Sequence, residues 1–156
     1  MEDESVRDAA LAVAGVLNLK MGGPSFLDMQ VKNSNNAEFA GPDNTFNDNT
    51  NRRTIYRLWA RSGNSPLLQA FDRPDPSVMA PIRSVTITPI QAMALMNNTR
   101  MEQWAERMAK RLASQDGNPL DRNIAFAWEL LFARPPEKVE LEKAVGFAKE
   151  HGMQPL

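Results

Sequence analysis

The chain has 156 residues, of which 42% are hydrophobic and 24% charged, with a net charge of -1; this suits one globular domain with a buried core and argues against a nonspecific nucleic-acid binder. No apolar run approaches the ~18 residues of a membrane span. With no cysteine and a single histidine, disulfides, thiolate chemistry, zinc fingers, iron–sulfur ligation and covalent haem attachment are excluded within this chain, and any Ser-His-Asp triad must use His151.

The N-terminal stretch MEDESVRDAA is acidic and lacks the basic and apolar regions of a signal peptide. A first helix is expected from about Ser5 to Leu19, with Ser5 and Asp8 as a capping box and Val6, Ala10, Val13 and Leu17 as its apolar stripe. Gly22-Gly23-Pro24 is the expected stop. Residues 25–51 show no period and read as a long polar loop, partly anchored through Phe26, Leu27, Phe39 and Phe46. Its end, PDNTFNDNTN, is one candidate constellation, rich in the oxygen donors that bind calcium, but it lacks the glycine and terminal glutamate of an EF-hand loop, so a solvated turn cluster is the reading over a calcium site.

Arg52–Arg61, RRTIYRLWAR, spaces Ile55, Tyr56, Leu58 and Trp59 as a helix would, although its β-branched and aromatic residues also favour strand. A short helix follows over Pro66–Phe71. Residues 72–87 form an irregular segment, because Pro74, Pro76 and Pro81 forbid long regular structure. Thr88-Pro89-Ile90-Gln91 then carries three helix-start signals: a threonine N-cap, proline at the first position and glutamine three residues on. That helix is expected to run from Pro89 to about Ala113, with Ile90, Ala94, Met101, Trp104, Met108 and Leu112 along one face. Asn118-Pro119 starts another, Leu120 to Ala133, apolar nearly all round and so expected at the centre of the core. Pro135-Pro136 breaks it. A last helix covers about Glu137 to Glu150, with Leu141, Val145 and Ala148 inward, Gly152 as its stop and His151 as a surface residue in its last turn. The fold class is therefore mainly α: a single irregular helical domain over residues 1–156, with about four main helices, a polar loop and a proline-rich segment.

Several phrases, taken in order, resemble the C-terminal part of domain-of-unknown-function family 1553. They are RDAALAVAGVLNLKMGGPS, NRRTIYRLWAR, LLQAFDRPDPS, SVTITPIQAMALMNN and LLFARPP. The resemblance extends from Arg7 to about Gly152. It implies that the chain is a fragment of a longer protein of planctomycete type, exported to the periplasm or cell surface. It also implies other domains upstream, often including a planctomycete cytochrome c domain, and a short helix downstream. Any haem motif would lie outside this chain. The chain departs from the family at Asn98, where Asp is common, and the family supplies no catalytic residues to carry over.

Three constellations are candidates for chemistry. Arg52, Arg53, Arg57, Arg61 and Arg83 can face Asp72 and Asp75, with Tyr56 and Trp59 as stacking surfaces. Arginine binds carboxylates and phosphates through two parallel hydrogen bonds, so this is either an anionic or sugar-acid site or an ion-pair network pinning the proline-rich segment. Asp72 and Asp75 can also be imagined as a glycosidase pair, though nothing selects them over a turn. Gln91, Asn97 and Asn98 on the long helix are another, and Asn97, on the apolar stripe, needs partners if buried, either loop backbone or a ligand. The nine methionines read as core filler rather than metal or haem ligands. No catalytic residue, metal site or cofactor is assigned. The sequence thus supports a non-catalytic helical interaction or ligand-binding module of a larger exported bacterial protein, partnered by that protein's other domains and by a carbohydrate or anionic ligand. The alternatives are an enzyme acting on carbohydrate or another anionic polymer through the Arg/Asp region, and a structural partner of a cytochrome c domain.

Overall fold

The computed structural model describes residues 2–33, 37–42, 47–60, 63, 65–84, 86–114 and 118–152, with backbone alone for residues 32, 33 and 37–42. Arg61, Phe46, Val85 and the centre of the Asn/Asp-rich stretch therefore lie outside the described residues, as does the Phe39 side chain. In chain order the elements are α1 (Asp3–Val13), β1 (Met29–Asn33), β2 (Ala37–Pro42), a 3-10 turn (Thr54–Tyr56), α2 (Pro66–Ala70), α3 (Pro89–Asn97), α4 (Thr99–Ala113), α5 (Leu120–Phe132) and α6 (Lys138–His151). The fold is mainly α, as the periodicity predicts. The chain divides into two compact units, Met1–Ala12 with Val16–Glu102, and Val13–Gly15 with Gln103–Leu156.

In the first unit, α1 starts two residues before Ser5. Asp3 and Glu4 occupy its first turn, where carboxylates are favoured by the unpaired amides and the helix dipole. Its buried residues are Asp3, Arg7 and Leu11, not the expected stripe through Val6, Ala10, Val13 and Leu17. Asp8 does not cap the helix; its carboxylate accepts hydrogen bonds from Thr54 instead. The helix ends well before Gly22: Leu11 O takes the amides of both Val16 and Leu17.

The 25–51 segment is not a structureless loop. β1 and β2 form an antiparallel pair in which Gln30 opposes Ala40 and Lys32 opposes Glu38. A bulge at Met29/Gln30 brings Met29 opposite Pro42, which suits a residue that cannot donate to the ladder. The 52–61 stretch is not a regular helix either. Arg52 and Arg57 form isolated parallel bridges to Asn18 and Phe26 around the 3-10 turn, so pairing with distant backbone overrides local spacing. Among the described residues, Leu11, Phe26, Met29, Leu67 and Leu68 are the buried hydrophobic side chains of this unit.

The start signal at Thr88 holds in full. Thr88 Oγ1 accepts from Gln91 N and Gln91 Oε1 accepts from Thr88 N, with Pro89 at the first position. The helix does not continue to Ala113. Asn98 is extended, with ψ 124°, and its amide closes α3 on Ala94 O. Asn98 Oδ1 then accepts from Arg100 N at the start of α4, an N-terminal bond of the kind asparagine favours.

In the second unit, Ile124, Ala144 and Ala148 form the core, joined by Leu120, Trp128, Leu141 and Val145. Trp104 and Leu112 of α4 are also buried. α5 is not wholly interior: Leu131 and Phe132 are more than half exposed, so its all-round apolarity overstates its burial. α6 ends at Gly152, with φ 86°, and His151 is exposed in the last turn.

Candidate functional site

The first unit is knitted by arginines that reach from one element to the backbone or carboxylate of another. Arg7 projects from α1 and is almost fully buried. Its Nη1 donates to Arg52 O at 2.9 Å and Thr54 Oγ1 at 3.0 Å, and its Nη2 donates to Thr50 O. Burial lowers its pKa to about 10, so it stays charged near neutrality. Arg52 donates to Pro24 O at 2.8 Å, and to Lys20 O and Gly22 O. These carbonyls belong to a Gly-Gly-Pro loop with no ladder of its own, and the guanidinium supplies the donors they need. Arg57 is buried against Asp28: Nε donates to Oδ1 at 2.8 Å, and Nη2 lies at the same distance from that oxygen without aligning an N–H on it.

The expected stacking surfaces are occupied by the chain's own cations. Arg52 lies over Tyr56 at 4.2 Å, and Arg57 and Arg73 lie over Trp59 at 4.8 and 3.6 Å. Asp72 sits at φ 58° and accepts from Thr86 N at 2.6 Å, from Thr86 Oγ1, and from Gln91 Nε2 at 3.5 Å. These bonds hold its carboxyl below the usual range, those from Thr86 most. Asp75 accepts from Ser77 N within its own turn. Asn97 is exposed, not buried, and donates to Met93 O of its own helix at 3.0 Å. Arg53 and Arg57 therefore pair with Asp8 and Asp28, and Arg52 with backbone carbonyls, not with Asp72 and Asp75.

Three of the anticipated residues, Arg53, Trp59 and Arg83, do line one cleft. Arg53 and Arg83 border an opening of about 350 Å³ with Glu2, Glu4, Ser5, Asp8, Ile55 and Trp59, a volume at the small end of ligand pockets. Arg83 grips Glu4 through two bonds, at 2.7 and 2.8 Å, and lies 3.6 Å from Asp3. Those bonds hold Glu4 well below the usual carboxylate range. Asp3 is buried beside them, with Oδ2 unpartnered; desolvation, reinforced by Glu4, raises its pKa. Arg53 is largely exposed. Its Nε reaches Asp8 Oδ2 only at 3.5 Å, so its outer nitrogens are available to a ligand. The cleft thus offers carboxylate acceptors and a guanidinium donor. Among the described residues, no three His, Cys, Asp or Glu side chains are grouped as metal ligands would be.

The acidic wall is absent from the sequence reading. Its signal was the four-residue spacing of Glu4 and Asp8, which puts both on one face of α1. Their partners lie 45 to 79 residues away, a distance no local pattern spans. No curated protein and no solved structure matches the chain. A family match covers residues 1–148 and bears out the resemblance carried by RDAALAVAGVLNLKMGGPS and the later phrases: the chain belongs to the family described as PSD1, protein of unknown function (DUF1553).

Proposed function

We propose that this chain is a non-catalytic helical interaction or ligand-binding module of a larger exported bacterial protein. One observation carries the non-catalytic part. Arg52, Arg57, Asp72 and Asp75, the side chains from which an acid–base or anion-activating array would be built, are engaged within the fold, and none of them lines the cleft of Arg53 and Arg83. Catalysis by general acid and base needs groups within hydrogen-bond reach of one substrate position. The larger-protein, exported and planctomycete parts of the reading are supported by family membership alone, as is partnership with other domains such as a cytochrome c domain.

The ligand-binding part rests on the cleft of Glu4, Asp8, Arg53 and Arg83. Arg53 is its free donor, and carboxylate oxygens beside it can accept hydroxyl protons, so a small hydroxylated carboxylate such as a uronic acid fits better than a simple polyanion. The test is a titration of the chain with glucuronate, with neutral glucose and with inorganic phosphate, followed through Trp59 by fluorescence and by amide chemical shifts. Saturable shifts around Arg53 with glucuronate, lost in Arg53→Ala, support the reading. Equal response to phosphate, or none to any of the three, rejects that ligand class. Turnover of a glucuronate polymer that disappears with Asp72→Asn or Asp75→Asn rejects the non-catalytic reading.

A further inference from the structure

α3 is inside out. The half-buried residues of this helix are Gln91 and Ala94, followed by its half-buried C-cap Asn98, and Gln91 reaches Asp72 and Thr86 through its amide. The side turned to solvent is Ile90, Met93 and Met96, exposed by 67, 62 and 78%, and Ile87 just before the helix is 98% exposed. No residue of α3 is buried. An apolar helix ordinarily turns its apolar residues to the core; here the polar amides face inward and the large apolar side chains face out. These four residues together present on the order of 600 Å² of surface, at the upper end of what a soluble monomer leaves bare in one patch.

We propose that this face is a self-association surface, paired with the same face of a second copy of the chain across a two-fold axis near Met93. Three properties favour a second copy. From Thr88 to Asn97 there is no charged residue, so two identical faces meet without like-charge repulsion or a desolvated charge. The face is self-complementary in relief: Met93 and Met96 stand beside Ala92, which is small and exposed, so each methionine finds a hollow on the other copy, as an isologous contact requires. Methionine adapts its shape to such a hollow. Lastly, complete burial of two faces of this size would remove about 1,200 Å² in total, which just reaches the lower bound for a stable interface.

The absence of cysteine makes the test direct. In Met93→Cys the introduced thiols sit close to the axis, and mild oxidation is expected to give a covalent dimer in high yield, while Glu142→Cys, exposed on α6, is expected to give little. Sedimentation of the parent chain from about 1 to about 500 μM is expected to show a monomer–dimer equilibrium, and Met93→Glu with Met96→Glu is expected to raise its dissociation constant at least about 100-fold. Circular dichroism of that double variant at low concentration should match the parent, because both side chains are exposed in the single chain. A monomer at every concentration overturns the proposal, even if α3 docks a different protein. So does a dimer that the two substitutions leave intact, or growth beyond the dimer. None of these outcomes bears on the cleft, whose titration is read from the monomer.

Discussion

Arg57 meets Asp28 at 2.8 Å with its guanidinium wholly covered and the carboxylate 11% exposed. The pair links the strand-like bridge at Arg57 to the segment leading into β1. The guanidinium also lies over Trp59, and its Nη1 has no hydrogen-bond partner. A charge this deep is held by its counter-ion or not at all.

Asp28→Ala is therefore expected to destabilise the chain by about 3–5 kcal/mol, because it leaves a buried, uncompensated cation. Replacing both partners, Asp28→Leu with Arg57→Leu, should recover much of that loss, since the desolvation cost of both ions vanishes with them. Urea unfolding of Asp28→Leu, Arg57→Leu and the double closes the cycle. Equal stabilities for Asp28→Ala and the parent would show that the pair carries no weight.

How much of this was legible depends on how local the signal was. The Thr88 capping box, the start of α5 after Pro119 and the Gly152 stop are each local signals, written in a few adjacent residues, and each is found where the sequence puts it. The hairpin of β1 and β2 and the arginine bridges are non-local. Arg7 binds carbonyls more than 40 residues away, and the number of charged candidates in the sequence leaves the pairing open. That is why the sequence nominates Arg53 and Arg83 but does not identify their carboxylate partners, Asp8 and Glu4. Asn98 marks the opposite failure: a smooth apolar pattern from Ile90 to Leu112 hides a break that one asparagine side chain, bonded to Arg100 N, creates.

The capping box gives a second prediction. Gln91 returns a bond to Thr88 N at 3.2 Å and extends its amide to Thr86 Oγ1 and Asp72. Gln91→Ala removes all of these and should lower stability by about 0.5–2 kcal/mol. The loss is expected to appear first as faster amide exchange at Thr88 and along the first turn of α3. Exchange rates there that match the parent would remove the box from the account of why α3 forms.

Asp3 and Glu4 have opposite pH dependences. Desolvation raises the Asp3 carboxyl from 3.8 to about 7, and the neighbouring Glu4 adds to the rise. The folded chain thus retains a proton that the unfolded chain releases near 3.8. The stability this confers is complete below that value and is lost as pH climbs through about 7. Glu4 is the reverse: Arg83 depresses its pKa below the ordinary 4.5, so its contribution is present above 4.5 and is lost as pH falls. The urea midpoint should therefore decline between about pH 5 and about pH 8, and Asp3→Asn should flatten that slope. Glu4→Gln should instead reduce the acid-side loss. A midpoint that rises over that range in the parent would mean Asp3 ionises at an ordinary pH.

Gly15 and Arg111 supply the last prediction, within the second unit. Gly15 has φ 74°, and a Cβ placed on it would lie 2.9 Å from Arg111 Cδ. Side chains often yield to such an approach, but this one is anchored, since Arg111 Nη1 donates to Val13 O at 2.8 Å. Gly15→Ala must therefore both accept a left-handed backbone and push against a tethered side chain. A cost of about 1–3 kcal/mol is expected. The two contributions separate in the background of Arg111→Ala. There the steric part disappears and the backbone part remains, so Gly15→Ala should cost about 1–2 kcal/mol. An identical cost in both backgrounds would show that the arginine moves aside freely and that backbone strain is the whole effect.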